Sequence, residues 1–544
     1  MPRLDYFAPG VYVEEIDRGS RPIDGIATNV ASFIGFTEDV RGGAKLFEPQ
    51  LVTTWSQYLQ YFSKQGSDGF TDFDAYLPFA VNGWFLNGGG RCWVTSIGTQ
   101  LPGSPPPDPS ETGLRVHTSA SRPTLRFVLK TDQHQLGGVD VRIQPSTPPP
   151  VADDAEDDDP PLDTGEYFKV VVSRDGEDQE TFDHLTMDAE AATYAVTVLE
   201  RSEYILAEDI AQTGQALARR PAPGQFEVTP PLPVPSPEHL TRDLQGIRDN
   251  RTGIQGLFEV DEITMMACPD LMRVYQEGII NQDQLHGMME TMLSLCENST
   301  PNPANRMIVL DTPPDREKPQ AVVEWLGEFG RRSMYGALYY PWVQVPNPRK
   351  GGRSILVPPC GHMMGIWSRT DETRGIYKAP ANETPRGVTG LAYDCNFREQ
   401  ELLNPLGINC IRTFPNRGIR VWGARTLVEP EKTEWRYINV RRLISYIERS
   451  IELGTQWVVF EPNDQDLWAR VRRTVSNFLE RLWREGALFG ATPSEAFYVK
   501  CDGDINTSET MILGRLYVEI GVCPVRPAEF VIFRISQWTS QDNE

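Results

Sequence analysis

Several absences narrow what this 544-residue sequence can do. No run approaches the ~18 consecutive apolar residues of a membrane-spanning helix, so direct membrane insertion is not expected. The first residues, Met1-Pro2-Arg3-Leu4-Asp5-Tyr6, lack the apolar stretch of a secretion signal. Basic residues are scarce: 52 Lys and Arg stand against 75 Asp and Glu, for a net charge of −23. That balance argues against nucleic acid as a partner, because phosphate binding needs clustered cations. The eight cysteines, Cys92, Cys268, Cys296, Cys360, Cys395, Cys410, Cys501 and Cys523, form no C-x-x-C pair and read as reduced, mostly buried thiols. With no secretory route expected, the sequons at Asn298, Asn382 and Asn506 read as chance matches.

Catalytic templates are missing as well. There is no G-x-S-x-G elbow, H-E-x-x-H pair, phosphate-binding loop or dinucleotide fingerprint. All six His are isolated; Cys360-Gly361-His362 would need two further ligands from afar to hold a metal. Asp502-Gly503-Asp504-Ile505-Asn506 starts like a calcium loop, but Thr507 stands where Gly is needed and Leu513 where the bidentate Glu belongs. Neither enzyme activity, nor a metal, nor a cofactor is expected.

What is present is enough apolar material, 40% of residues, for about three or four domains. Asn29–Phe36 reads as a buried strand, Trp55, Tyr58, Leu59 and Phe62 recur at helical spacing, a helix is expected near 75–86, and Arg91–Ile97 is the next strand. That alternation is βαβ-like. From Leu101 to Leu162 prolines cluster around the acidic run Asp153–Asp159, and a second Pro-rich stretch spans 221–237. Residues 99–244 therefore read as an inserted β-rich domain on Pro-rich stalks; the acidic run is a solvated loop or, alternatively, a calcium site. Alternation resumes with strands at 263–267, 306–310 and 337–340 and helices at 275–296 and 318–332. The fold class is thus multidomain, α/β and α+β, with an α/β domain from 26–98 and 245–400 and a C-terminal unit over 401–520.

Two features stand out in that framework. In the helix after Glu461-Pro462-Asn463, with Asn463 as cap and Gly486 as stop, Leu467, Val471, Val475, Phe478, Leu479 and Leu482 share one face. Arg470, Arg473, Arg481 and Arg484 fall within about an 80° arc nearly opposite. Such a stripe is either a solvated face or a dock for an acidic partner. The preceding helix, about 439–453, has an apolar stripe with Arg441 and Arg442 mainly off it, and reads as a packing element. The second feature is the termini, arms over 1–25 and 521–544. Val11, Tyr12, Val13, Glu14 and Glu15 lie in a strand-like segment, and Phe530, Val531, Ile532 and Phe533 in another, after the alternating run 515–522. Both can pair within the chain or add to a neighbour's sheet edge; spacing does not choose.

Taken together these segments resemble the tail sheath proteins of contractile phages, R-type pyocins and extracellular contractile injection systems. The motifs that carry the resemblance, in order, are Pro9–Glu15, Phe33–Thr37, Lys378-Ala379-Pro380-Ala381-Asn382, Leu403–Asn409, Gly418–Leu427, Tyr437-Ile438-Asn439-Val440-Arg441-Arg442, Phe460-Glu461-Pro462-Asn463 and Pro527-Ala528-Glu529-Phe530. They cover about 1–97 and 245–544; the Pro-rich insertion corresponds to the variable outer domains of such sheaths, and Gly361-His362-Met363-Met364-Gly365 departs from the small-residue run expected there.

The resemblance implies hexameric rings stacked helically around a separate inner tube, contraction from a metastable extended state, and no nucleotide. It implies that the terminal arms join neighbours by strand addition and that the C-terminal domain meets the tube, which would make the four arginines the tube contact. Partners would be further copies, the inner tube protein, and baseplate and tail terminator or cap proteins. Assembly would take place in the bacterial cytoplasm, within a phage tail or tail-like particle whose release outside the cell is compatible with this reading. The rivals are a surface-binding module built on the insertion, a non-contractile tail or baseplate component, and a hydrolase with its site at the α/β edge.

Overall fold

The computed structural model of the chain describes residues 22–105, 113–130, 138–149, 165–174, 176–211, 214–228, 232–297 and 306–534. The arm expected at Val11, Tyr12, Val13, Glu14 and Glu15 lies outside the described residues, as does the acidic run 153–159. The chain forms two compact units, one from Ser104 to Val234 and one from the segments on either side.

The larger unit is organised by an eight-stranded sheet. Its order is Gly418–Val421, Ile408–Phe414, Gly336–Tyr340, Met307–Asp311, Met265–Ala267, Ala31–Gly35, Cys92–Ser96, Gln50–Val52. The six inner strands are parallel and the two outermost antiparallel. Ala31 faces Met265 on one side and Cys92 on the other, so the three strands from before the 104–234 unit and the five from after it join edge to edge in one sheet, with the junction at Ala31–Gly35 and Met265–Ala267. Inner strands such as Ala31–Gly35 and Met307–Asp311 are buried at every position, which is why they read as unbroken apolar runs.

The sheet does not stop at residue 400, where the sequence reading closes the α/β domain. Ile408–Phe414 pairs with Gly336–Tyr340 (Leu338 opposite Ile408), and its start, Ile408 to Ile411, is as buried as the central strands, with the one polar side chain there, Asn409, fully hydrogen-bonded to backbone. The second unit is also narrower than 99–244: Leu240 and Leu244, in the helix Leu240–Gln245, pack into the core of the larger unit.

Two helices meet the sheet through unusual caps. Tyr76–Leu86 has no capping side chain of its own, and Asp270, just past strand Met265–Ala267, accepts the N–H groups of Phe36 (2.7 Å), Tyr76 (2.5 Å) and Leu77 (3.2 Å). Asp311, the last residue of its strand, accepts the Cys360 N–H (3.0 Å) at the start of Cys360–Arg374. Both carboxyl groups are fully buried, and burial raises Asp270 to about 6 and Asp311 to about 7. Ligands of open α/β sheets bind beyond the carboxyl ends of the strands; in this sheet two of those ends are occupied by helix caps. The two helices touch backbone to backbone: a Cβ at Gly361 would lie 2.2 Å from the Ala80 carbonyl oxygen, and one at Gly365 would lie 2.7 Å from that of Trp84. The bulkier His362 still fits this contact, because Gly83 leaves room for its ring.

The Ser104–Val234 unit consists of two antiparallel sheets. One is ordered Gly224–Val228, Val139–Pro145, Phe168–Arg174, Glu177–Leu185, and the other Leu114–His117, Pro123–Leu129, Ile205–Asp209. Alternate residues such as Val139, Val141 and Ile143 fill its core. The edge strand Glu177–Leu185 is exposed and acidic, which discourages edge-to-edge pairing. This segment holds 24 acidic and 10 basic residues, so most of the chain's net charge of −23 resides in it.

Behind the sheet of the larger unit, Ile438–Gly454 and Gln465–Arg484 pack into a separate apolar cluster that includes Ile23. Leu467, Val471, Val475, Phe478, Leu479 and Leu482 are all buried in it. The helix cap is Asp464 rather than Asn463: the Asp464 carboxylate accepts the Leu467 N–H at 2.8 Å. Asn463 instead accepts the Trp468 indole N–H (2.8 Å) and donates to the Arg515 carbonyl (3.0 Å). Gly486, at φ +86°, follows the last turn. The helix expected over 275–296 is interrupted by Gly278 at φ +69° and becomes Asp270–Gln276 and Gln282–Glu297. The strand expected over 515–522 shortens to Glu519–Val522, which pairs with Phe497–Lys500.

Candidate assembly surfaces

Four motif segments far apart in sequence converge where the C-terminal segment leaves the body. Glu529 accepts from Arg425 Nε to Oε1 (2.9 Å) and from Nη2 to Oε2 (2.6 Å). Asn404 Nδ2 reaches Oε1 (2.7 Å) and the Tyr437 hydroxyl reaches Oε2 (2.9 Å). Arg425 is buried, and its own N–H is held by Asn409 Oδ1 (2.7 Å), whose amide donates to the Leu338 and Arg425 carbonyls. Burial alone would push the Glu529 carboxyl up, but the hydrogen bonds from Arg425, Asn404 and Tyr437 and the Arg425 charge hold it below the ordinary Glu range.

Upstream of this clamp the chain is tied down, with the Cys523 N–H on the Ala496 carbonyl (2.8 Å) and the Val525 N–H on that of Ala487 (3.1 Å). Beyond it the tie ends. Phe530, Val531, Ile532 and Phe533 are exposed by 71, 68, 81 and 83%, and Phe530–Arg534 forms no strand. The strand expected there is therefore not formed among the described residues: a strand needs a partner for its N–H and C=O groups, and none of them supplies one.

A receptive surface lies elsewhere in the same unit. The sheet Phe497–Lys500 with Glu519–Val522 has two strands only, so each offers an unpaired edge among the described residues. Beside it runs a groove of about 720 Å³, lined by Val458, Val459, Phe460, Val471, Leu516, Val518 and Ile520 among others. Phe460 at its rim is fully exposed and takes φ +67°, a conformation costly for a bulky residue.

The four stripe arginines all remain on the exposed side of Gln465–Arg484, but they differ. Arg470 pairs with Glu461 (3.3 Å) and its guanidinium lies 5.5 Å from the Trp457 ring centre. Arg481 donates to the Ile23 carbonyl and lies over the Phe478 ring, and Arg484 pairs with Glu480. Arg473 makes no hydrogen bond or ion pair among the described residues.

The neighbouring helix carries more than packing. Arg442 is buried and holds Asp371 with both prongs (2.8 and 2.5 Å) while donating to the Thr28 carbonyl (3.0 Å). Arg441, also buried, lies between the Tyr335 and Trp435 rings (5.0 and 4.7 Å). These pairs bind the C-terminal helices to Cys360–Arg374 and to the segment entering the first strand. No group of three or more His, Cys, Asp or Glu among the described residues is arranged to hold a metal ion. No described helix is long and apolar enough to cross a membrane.

Comparison with known proteins decides what these surfaces belong to. The phage tail sheath protein central domain matches residues 258–427 and the phage tail sheath C-terminal domain matches 431–537. The chain belongs to the tail sheath protein family. The seam between the two matches falls where the backbone leaves the large sheet, after Val421, for the helical layer that begins at Ile438.

The sheath chain is 29% identical over 208 residues to the tail sheath protein of Salmonella phage ViI, covering 37% of this chain and 31% of that one. It is 26% identical over 242 residues to a putative prophage major tail sheath protein of Pseudomonas aeruginosa strain UCBPP-PA14, covering 43% and 59%. Its matches thus span between about a third and three-fifths of those relatives' length. The fold is shared with the anti-feeding prophage helical sheath in its contracted state (TM-score 0.56, 23% identity, 98% of this chain and 99% of that). It is also shared with the PVC sheath complex of an extracellular contractile injection system, in the contracted state (TM-score 0.55, 20% identity, 98% of each).

The sequence reading of this sheath protein named the segments around Asn404, Arg425, Tyr437 and Glu529 but not their meeting. The available signal was Glu529, the lone charge in the otherwise apolar Pro527-Ala528-Glu529-Phe530 motif, a residue type that is buried only when paired.

Proposed function

We propose that the chain is the structural subunit of a contractile sheath, polymerising as helically stacked hexameric rings around an inner tube and contracting from a metastable extended state. The observation that carries this reading is the C-terminal segment, which is clamped at Glu529 and then presents four consecutive apolar residues that are exposed and unpaired among the described residues. The two-stranded sheet Phe497–Lys500 and Glu519–Val522, with open edges beside an apolar groove, is the complementary half of such a linkage. An arm donated to the next copy and an edge offered to the previous one make a head-to-tail contact, and such contacts give open helical polymers.

In this reading Val11, Tyr12, Val13, Glu14 and Glu15 form the second arm. The face bearing Arg470, Arg473, Arg481 and Arg484 meets the inner tube, and baseplate and terminator proteins close the two ends. Several main-chain hydrogen bonds per added strand, at about 0.5–1.5 kcal/mol each, keep copies linked while weaker, salt-screened tube contacts are released. The subunit contributes shape and stored strain, not catalysis, and it acts as part of a phage tail or tail-like particle assembled in the bacterial cytoplasm.

The test is negative-stain electron microscopy of the concentrated protein with and without its inner tube protein. Striated hollow tubes, longer and narrower when the tube protein is present, are expected. Small discrete particles under both conditions would count against the reading. Deleting residues 1–20 or 530–544 should abolish tubes while leaving the melting transition in place; normal tubes from either truncation would remove that arm from the linkage.

A further inference from the structure

A cleft of about 640 Å³ opens beneath the C-terminal segment, with Val525 to Glu529 and Val531 as one wall and residues from Arg374 to Asn382 and Trp422 to Ala424 as the other. Its charge is opposite to that of the chain. Arg374, Lys378 and Arg526 line it, and the one carboxylate among its described lining residues, Glu529, has both oxygens taken up by Arg425, Asn404 and Tyr437. Arg374 and Arg526 are exposed and make no hydrogen bond or ion pair among the described residues. Lys378 donates to the Ala379 and Ala381 carbonyls, and burial lowers its pKa, with Arg374 lowering it further and the nearby Glu383 carboxylate, itself paired with Arg369, opposing them.

Tyr377, Trp422 and Tyr437 supply flat apolar surface between these cations. Asn439 ties the two walls together by donating to the Tyr377 (2.8 Å) and Val525 (3.2 Å) carbonyls, while its own buried side-chain oxygen has no hydrogen-bond partner among the described residues.

We propose that this cleft is a docking site for a carboxylate-bearing segment of a second copy of this chain. Charge complementarity selects the occupant. Residues 104–234 alone hold 24 acidic against 10 basic side chains, so a copy that presents this segment offers mostly carboxylates to a cleft lined by three cations and one carboxylate that is already paired. The volume lies in the range of ligand clefts and suits a short peptide segment, which the aromatic floor and the cationic rim would grip at different points. Because Val525 to Val531 is one of the walls, occupancy also fixes the path along which the C-terminal segment leaves the body. The inference rests on the sheath reading, since it needs copies packed side by side.

The test uses the full-length protein assembled from a mixture of normal and ¹⁵N-labelled chains, treated with a water-soluble carbodiimide that joins an ammonium directly to a touching carboxylate. Pelleted polymer should yield a Lys378 peptide joined to an Asp- or Glu-containing peptide of the other isotope. Arg374→Glu/Arg526→Glu should lower the pelleted fraction at least tenfold with an unchanged melting transition. Lys378→Arg should retain assembly and lose only the cross-link. Wild-type polymer whose Lys378 joins only same-chain carboxylates, joins another protein of the particle, or joins nothing would overturn the docking inference alone. Double-variant polymer at wild-type yield would do the same. Wild-type protein that never pellets would overturn the sheath reading and the inference with it.

Discussion

Glu529 and Arg425 stand 104 residues apart in sequence and meet in a two-pronged ion pair, 2.9 Å from Nε to Oε1 and 2.6 Å from Nη2 to Oε2. Removing the acid leaves a buried guanidinium without its counter-charge, which costs roughly 3–5 kcal/mol where burial is complete. Glu529→Ala should therefore lower the urea midpoint clearly and open the bonds to protease beyond Val525. Glu529→Gln, which can still accept from Arg425, should cost less. Equal midpoints for the two variants would show that the charge does not matter.

Acid should release the same clamp. The folded carboxyl lies below the ordinary Glu value, so its contribution is complete above about 4.5 and is lost as pH falls through the folded value. Stability measured against pH should lose part of its acid limb in Glu529→Gln; an unchanged limb would mean other carboxylates dominate there.

Arg442 and Asp371 make a second, deeper pair, with side chains exposed by only 5% and 4%. Burial outweighs the pairing and pushes Asp371 above its ordinary value, as expected where desolvation is nearly complete. Breaking the pair from one side, by Arg442→Met or Asp371→Leu, should cost about 3 kcal/mol or more, whereas the double variant should recover much of the loss. Additive losses in denaturant titrations would deny the coupling.

How far the sequence revealed these sites follows from the physics of each signal. Period-3.6 burial made Leu467, Val471, Val475, Phe478, Leu479 and Leu482 legible, and unbroken apolar runs made the inner strands legible. The cap of that helix was misplaced by one residue because Asn463 and Asp464 are both good caps and only geometry decides between them. Arg441 and Arg442 fall mainly off the apolar stripe of their helix, yet both are buried, because helix angle reports where a side chain starts, not whether a ring or carboxylate lies in wait for it. The clamp at Glu529 was invisible because its members are set by chain topology over about a hundred residues. Phe530 to Phe533 has strand-like residues, yet a strand is a property of two segments, and the described residues supply only one of them.

Two buried groups give opposite pH responses that variants can separate. Asp311 titrates near 7 when folded against about 3.8 when unfolded, so between those values the folded state holds the extra proton and stability falls as pH rises. Asp311→Asn can still accept the Cys360 N–H and should stabilise the protein at pH 8 by on the order of 1–3 kcal/mol, with little effect near pH 4. His362, lowered to about 4 by burial, acts the other way: the unfolded ring takes a proton below about 6.5, so stability falls as pH drops from there to 4. His362→Leu should flatten that limb. Melting curves from pH 4 to 8 that keep the wild-type shape in both variants would refute both assignments.

The arginine face offers the sharpest division between fold and assembly. Arg473 has no partner among the described residues and Arg484 has only an exposed pair with Glu480, worth about 0–1 kcal/mol. Arg473→Glu/Arg484→Glu should therefore leave the melting transition within a degree or two. If the face meets an acidic inner tube, the same change replaces attraction by repulsion, and co-sedimentation with the tube protein should fall at least tenfold at low salt. Arg481 is different, since its guanidinium holds the Ile23 carbonyl and lies over Phe478. Arg481→Glu should lower stability as well as tube binding, and its binding loss counts only after correction for the unfolded fraction. Raising salt should weaken wild-type co-sedimentation and leave strand-linked polymer intact, because main-chain hydrogen bonds are not screened as exposed charges are. Unchanged tube binding by Arg473→Glu/Arg484→Glu would make the stripe a solvated surface and move the tube contact elsewhere, with the exposed Val459 and Phe460 rim the next place to look.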